Sequence, residues 1–252
     1  MELFDSHNHI YMKHFDKDRD EVIQRARDSG VIGMVVSSIT PESFMQVAKL
    51  RDAHDGYIFH SAGYEPAKAE WGIENRIEEL IRANAEKLVA IGEIGLDYYW
   101  VKDEAHRALQ REVYRHFLEL AVELELPVVL HTRNAELDSM DIAAEYELRG
   151  VLLHGFGGKP ELVRRANELG WYISLAPQMM MRKVTRKVVR AIDIEYAMLE
   201  TDAPYLSPFH DRNEPAYLTY SVEVLAKAKG IEMEEVAETT TRNSLRFYDL
   251  RL

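Results

Sequence analysis

Eight short apolar, β-branched segments alternate with longer amphipathic ones along 252 residues, and no other feature of the sequence limits the fold as tightly. The strand-like segments are residues 2–6, 31–37, 57–62, 88–92, 127–130, 151–153, 171–175 and 197–200. The clearest helix between them spans 104–125, where Ala105, Leu109, Val113, Phe117, Leu120, Ala121 and Leu124 step by three or four and make one apolar stripe. Pro127 stops that helix and opens the next strand. Thr40 followed by Pro41 reads as an N-cap with proline at the first helical position, and Lys159-Pro160-Glu161 repeats the device. Helices over 216–229 and 232–248 finish the chain. Eight strand–helix units in about 250 residues predict an α/β fold, a (β/α)8 TIM barrel, as a single domain over residues 1–252. An open doubly wound sheet is the competing arrangement.

Composition removes several classes of function. The chain has no cysteine, which excludes a disulfide framework, a thiol nucleophile and a thiolate zinc site. With 46% apolar residues it can bury a core. Apolar runs stay short of the ~18 residues a membrane span needs, and residues 1–5 lack the basic and apolar regions of a signal peptide, so the expected location is cytoplasmic. The net charge of −12 argues against broad binding to nucleic-acid backbones, though it leaves room for a metal-centred site acting on a phosphodiester. No obligate protein partner is evident from the sequence.

Histidines and isolated carboxylates gather where the apolar strand segments end. The first is followed by His7-Asn8-His9, the fourth by Glu93-Ile94-Gly95-Leu96-Asp97, the fifth by His131-Thr132-Arg133, the sixth by His154-Gly155-Phe156 and the eighth by Thr201-Asp202-Ala203-Pro204. Each polar group is expected just past its strand, and in a barrel these ends converge on one face. Imidazoles and carboxylates together are ligands for divalent cations. His7 and His9, flanking one residue on an extended segment, point the same way and can clasp one ion. His131 and His154, from adjacent strands, can clasp a second, with Glu93 bridging both and Asp202 reaching the first. Two ions ~3.5–4 Å apart would activate a water and polarise the scissile group. Mixed histidine and carboxylate ligation suits Zn, Mn, Fe or Ni, while Mg prefers all-oxygen sites yet can support activity.

Other candidates read more blandly. His54, His60, His106 and His116 are expected to be solvent-facing or structural, and His14 and His210 fall in loops. Met179-Met180-Met181 reads as packing, and the basic residues Arg182, Lys183, Arg186, Lys187 and Arg190 read as a solvated helix face.

Taken together, Asp5-Ser6-His7-Asn8-His9, Gly92-Glu93-Ile94-Gly95-Leu96-Asp97-Tyr98, His131-Thr132-Arg133, His154-Gly155-Phe156 and the segment from Glu200 to Leu206 resemble the TatD family of metal-dependent deoxyribonucleases, amidohydrolase-like barrels. Arg212-Asn213-Glu214-Pro215 and Glu235-Val236-Ala237 with Asn243 extend the resemblance over nearly the whole chain. It implies that His7, His9, Glu93 and Asp202 bind one metal, that Glu93, His131 and His154 bind the other, and that Asp202 also accepts the proton of the attacking water. The implied reaction is hydrolysis of DNA phosphodiesters with 3′-end trimming, on a single strand or a 3′ end. The sequence departs from the family pattern at Glu65, where relatives commonly carry a histidine, and at Asn134, which replaces an acid. Arg133 and Arg212 remain as candidates for gripping a phosphate, each equally able to serve as a salt-bridge partner.

Two other functions use the same residues. An amidohydrolase or esterase would polarise a carbonyl on this site, cleaving an amide, a lactone or an aminoacyl ester, and the acidic mouth favours it. A binding protein that keeps metals for stability would have no use for Asp202 as a base.

Overall fold

The computed structural model describes residues 1–69, 73–178 and 186–252. Eight parallel strands pair in chain order: β1 (Leu3–Asn8), β2 (Val31–Ser38), β3 (Ile58–Ala62), β4 (Ala90–Asp97), β5 (Val128–Arg133), β6 (Val151–Leu153), β7 (Tyr172–Leu175) and β8 (Ala197–Leu199). The last strand returns to the first through the Asp202 amide on the His7 carbonyl at 2.9 Å and the His9 amide on the Ala203 carbonyl at 2.8 Å. The expected (β/α)8 barrel is therefore present.

Helices α1 (Arg19–Asp28), α2 (Pro41–Ala53), α3 (Ile73–Ala83), α4 (Glu104–Glu123), α5 (Glu136–Ala143), α6 (Pro160–Glu168), α7 (Arg186–Ala191), α8 (Leu218–Lys229) and α9 (Met233–Tyr248) cover the outside. The N-cap expected at Thr40 is a reciprocal box: the Ser43 amide donates to Thr40 Oγ1 at 3.1 Å and the Thr40 amide to Ser43 Oγ at 2.9 Å. In α4 the apolar stripe is buried only from Val113 onward. Ala105 is exposed and Leu109 and Leu124 are half-buried at its two ends, and Asp103 caps the first turn through the His106 amide. The helix ends before Glu125, whose φ of 54° leaves the helical region. Among the described residues no helix is long and apolar enough to cross a membrane. Met179-Met180-Met181, Arg182 and Lys183 lie outside the described residues.

The inside of the barrel has two layers. The lower one is apolar: Phe4, Val35, Ala90, Val129, Leu152 and Met198 cluster, Phe59 and Tyr172 pack against them, and Phe247 and Tyr248 of α9 close the end. The upper one is polar. Because strand side chains alternate, the residue two further along each strand faces the same way. This turns Val35 into Ser37, Phe59 into Ser61, Val129 into His131, Leu152 into His154, Tyr172 into Ser174 and Met198 into Glu200. In β1 and β4 the interval is three, from Phe4 to His7 and from Ala90 to Glu93, and both strands carry a register shift between those residues. An extra residue in a strand re-aims the side chains beyond it.

Candidate metal centre

The side chains expected to converge do so, though several sit inside the strands. His7 lies in β1, Glu93 in β4 and His131 with Arg133 in β5, and only His9, His154 and Asp202 follow their strands. The expectation that every polar group lies past its strand is thus corrected. The parallel ladder between β4 and β5 continues through Gly95–His131 and Asp97–Arg133, because backbone pairing does not depend on side-chain polarity. Gly95 permits this: its φ of 134° suits glycine, and a Cβ there would lie 2.2 Å from the His131 carbonyl oxygen.

Glu93 occupies the middle of the cluster. One of its oxygens, Oε2, is 2.9 Å from His154 Nε2, 3.3 Å from His7 Nε2 and 3.9 Å from His9 Nε2. Asp202 Oδ1 is 3.7 Å from His7 Nε2 and 3.6 Å from His9 Nε2. His131 Nδ1 approaches His154 Nε2 at 3.2 Å. Donor atoms of His7, His9 and Glu93 lie within 4.8 Å of one another, as do those of Glu93, His131 and His154, and those of His7, His154 and Asp202.

Three of the four imidazoles are hydrogen-bonded from behind through their other nitrogen, and the fourth, His154, only faces a carboxylate. His9 Nδ1 donates to the Ser37 carbonyl at 2.8 Å, and His7 Nδ1 meets the Ser37 hydroxyl at 3.0 Å. Asp97 Oδ2 accepts from His131 Nε2 at 3.0 Å, which turns Nδ1 inward. His154 Nδ1 faces Glu200 Oε2 at 3.8 Å, and Ser174 Oγ donates to that oxygen at 2.5 Å. Outer hydrogen bonds of this kind fix the tautomer and raise the basicity of a ligating histidine. Asp5 ties the barrel seam beneath, accepting from the Thr201 amide at 2.9 Å and the Thr201 hydroxyl at 2.5 Å.

The charges do not balance without a cation. Burial, reinforced by the neighbouring His154, lowers His7 to about 4, and burial also lowers His9, so both are neutral with a lone pair free. Burial pushes Asp202 well above the carboxylate range, helped by Glu200, Glu93 and Asp5. Asp5 rises to about 7, chiefly through burial. Against the effect of burial, His154 with its neighbouring imidazoles holds Glu93 well below the usual range, and Glu93 and Glu200 hold His154 protonated. The buried carboxyl groups Asp5, Glu93, Asp97 and Glu200, with the partly buried Asp202, surround four imidazoles; this set fits divalent cations, which would displace the His154 proton and offset the clustered negative charge.

Sequence reasoning passed over Asp5, Ser37, Ser61, Asp97, Ser174 and Glu200. Strand alternation could have placed Ser37, Ser61, Ser174 and Glu200 on the inward face, though not the partner each would meet. Each lies in the polar layer or orients it, and in six strands that layer sits two residues past an apolar interior position.

The two arginines differ. Arg212 is committed to Asp18 by a two-pronged ion pair at 2.7 and 2.6 Å and lies over the Phe15 ring. Arg133 is exposed, with its guanidinium 4.0 Å over the Tyr99 ring, and has no ion-pair partner among the described residues. Glu65 pairs with Lys68 at 2.9 Å. Of the remaining histidines, His106 bonds Asp103, His116 bonds Glu78, and His14 and His210 are exposed. His60 is buried, with Nε2 2.8 Å from Ser38 Oγ.

Comparison with known proteins agrees with this geometry. The family described as TatD related DNase matches residues 4–249. An uncharacterized metal-dependent hydrolase of Methanocaldococcus jannaschii is 36% identical over 251 residues, covering 98% of this chain and 97% of that protein. The human deoxyribonuclease TATDN3 is 30% identical, covering 98% of this chain and 94% of its own length. The crystal structure of YjjV, a TatD homolog from Escherichia coli, superposes with a TM-score of 0.90 at 25% identity, covering 99% and 98% of the two chains.

Proposed function

The chain belongs to the TatD-related DNase family of metal-dependent hydrolases, and from that premise we propose that it removes nucleotides from the 3′ end of single-stranded DNA with two divalent cations. His7, His9, Glu93 and Asp202 would hold one cation, and Glu93, His131 and His154 the other. The observation that carries this reading is Glu93 Oε2, a single carboxylate oxygen within 4 Å of histidines from β1 and from the end of β6. Zn, Mn, Mg, Fe or Ni bound there would polarise the phosphoryl oxygens and lower the pKa of the attacking water.

The chain's own groups do the rest. Asp202, whose carboxyl burial raises above the ordinary carboxylate range, takes the water proton as general base. The water oxygen bonds to phosphorus, the bond to the 3′-oxygen breaks, and that oxygen takes up a proton from solvent to become the 3′-hydroxyl of the shortened strand, releasing a 5′-phosphorylated nucleotide. Ser37 and Asp97 hold the imidazoles in the tautomer that presents a lone pair inward. Arg133, without an ion-pair partner among the described residues, is available to a substrate phosphate, whereas Arg212 stays with Asp18. The pairing of Glu65 with Lys68 offsets the acid that would otherwise favour a carbonyl substrate.

The test is a time course on 5′-labelled single-stranded DNA with purified, metal-quantified protein, with and without Mn or Mg, beside His131→Ala. Laddering that requires both metal and His131 is expected. Cleavage that persists under chelation and in the variant would overturn the proposal, as would turnover of acyl substrates with none of DNA.

A further inference from the structure

Asp97 serves two structures at once. Its Oδ2 accepts from His131 Nε2, and its Oδ1 accepts from the backbone amides of Tyr99 at 2.9 Å and Trp100 at 2.8 Å. The turn after β4 is thereby fastened to the metal-binding histidine of β5. The Tyr98 amide adds a second tie, donating to the Arg133 carbonyl at 2.9 Å.

That turn presents aromatic surface to solvent. Trp100 is 65% exposed and Tyr99 42% exposed, with their rings edge to face at 4.9 Å. The Arg133 guanidinium lies over Tyr99 and 5.7 Å from the Trp100 ring, and Lys102 Nζ is 5.2 Å from the Tyr99 ring. Trp100 is the most exposed large apolar side chain among the described residues, and burial gives it no reason to be tryptophan. Two flat rings beside two cations, in a chain of net charge −12, combine a surface for π-stacking with positive charge for an adjacent phosphate.

We infer that Tyr99, Trp100 and Arg133 form a stacking platform for an unpaired nucleobase at the rim of the metal centre, which makes the site select single-stranded ends. This rests on the nuclease reading and specifies its substrate. An interior paired base keeps both faces covered and a terminal pair exposes one, whereas a single-stranded end can splay its last bases apart and offer a whole face to Trp100 beside the metal centre. Stacking tolerates every base, so the platform gives strand-state selectivity without sequence preference.

Binding can be separated from catalysis. Fluorescence anisotropy of 5′-fluorescein-dT15 with the full chain in chelator reads affinity without turnover. Trp100→Ala is expected to weaken binding roughly tenfold, the scale of one lost base stack, and Trp100→Phe to recover most of it. On the same strand with its last three nucleotides replaced by abasic tetrahydrofuran, wild type and Trp100→Ala should bind alike. Equal binding of dT15 by wild type and Trp100→Ala, or an equal loss on the abasic-ended strand, would overturn the platform. Wild-type cleavage of dT15 in Mn tests the nuclease reading separately, so cleavage unaffected by Trp100→Ala would remove the platform and leave the hydrolase standing.

Discussion

The lower and upper layers of the barrel are built from the same strands, and in six of the eight only two residues separate them. Below, Phe4, Val35, Val129, Leu152 and Met198 pack with Phe247 and Tyr248. Above, His7, Glu93, His131 and His154 stand in contact, with Glu200 behind His154. Burial has opposite consequences in the two. It stabilises the apolar layer in proportion to the area removed from water. In the polar layer it costs free energy, because charged groups lose hydration and recover it only through close partners. One layer holds the fold together, and the other gathers imidazoles and carboxyl groups suited to divalent cations.

Substitutions should separate the two layers. Glu93→Gln removes the carboxylate shared by both donor sets. Activity should fall on the order of 10²–10³-fold or more, as for other lost electrostatic and proton-transfer groups, while the metal-free protein loses less thermal stability than the core truncation below. Phe247→Ala does the reverse. It opens a cavity against Tyr172 and Tyr248, so a loss of about 3–5 kcal/mol in urea unfolding is expected, with activity per folded molecule retained. Equal losses of stability from both variants would break the comparison.

Asp97→Asn probes the support behind the centre. With the charge behind His131 removed, metal affinity should drop roughly 10–100-fold in a chelator competition. An unchanged affinity would mean that the His131 ring is oriented by packing alone.

His60 supplies the smallest effect. It faces outward from β3, 4.7 Å from the Phe44 ring, and burial lowers it to about 3. The unfolded chain binds a proton there below about 6.5, whereas the folded chain stays neutral until about 3. Its contribution to stability is therefore complete above pH 6.5 and shrinks as pH falls toward 3. Urea unfolding at pH 5 should show about 2 kcal/mol of acid loss that His60→Gln lacks. Identical pH slopes for the two proteins would contradict the assignment.

The fold was legible because its signal is periodic. Runs such as Val128-Val129-Leu130 and Val151-Leu152-Leu153, buried on both faces, read as parallel strands, and Thr40-Pro41 and Lys159-Pro160 announce helix starts. The residues proposed as metal ligands were legible because histidine and glutamate stand out beside apolar strands. Ser37, Ser174 and Asp97 were not, since a serine or aspartate in sequence does not reveal which nitrogen it will face. The two register shifts were hidden as well. Nothing in Phe4-Asp5-Ser6-His7 states that the inward interval is three, and only the pairing with β2 shows it. The pairing of Arg212 with Asp18 joins residues 194 positions apart, a distance no local pattern spans.

The central claim is that Glu93 is shared between two cations in the upper layer. Its most direct test is the metal-to-protein ratio, by mass spectrometry, of Mn- or Zn-saturated, gel-filtered wild type and His131→Ala. The account predicts about two ions per chain in the wild type, the occupancy of a two-metal hydrolytic site, and about one in the variant, retained by His7, His9 and Glu93. A ratio near one in the wild type, or one that His131→Ala leaves unchanged, would contradict it.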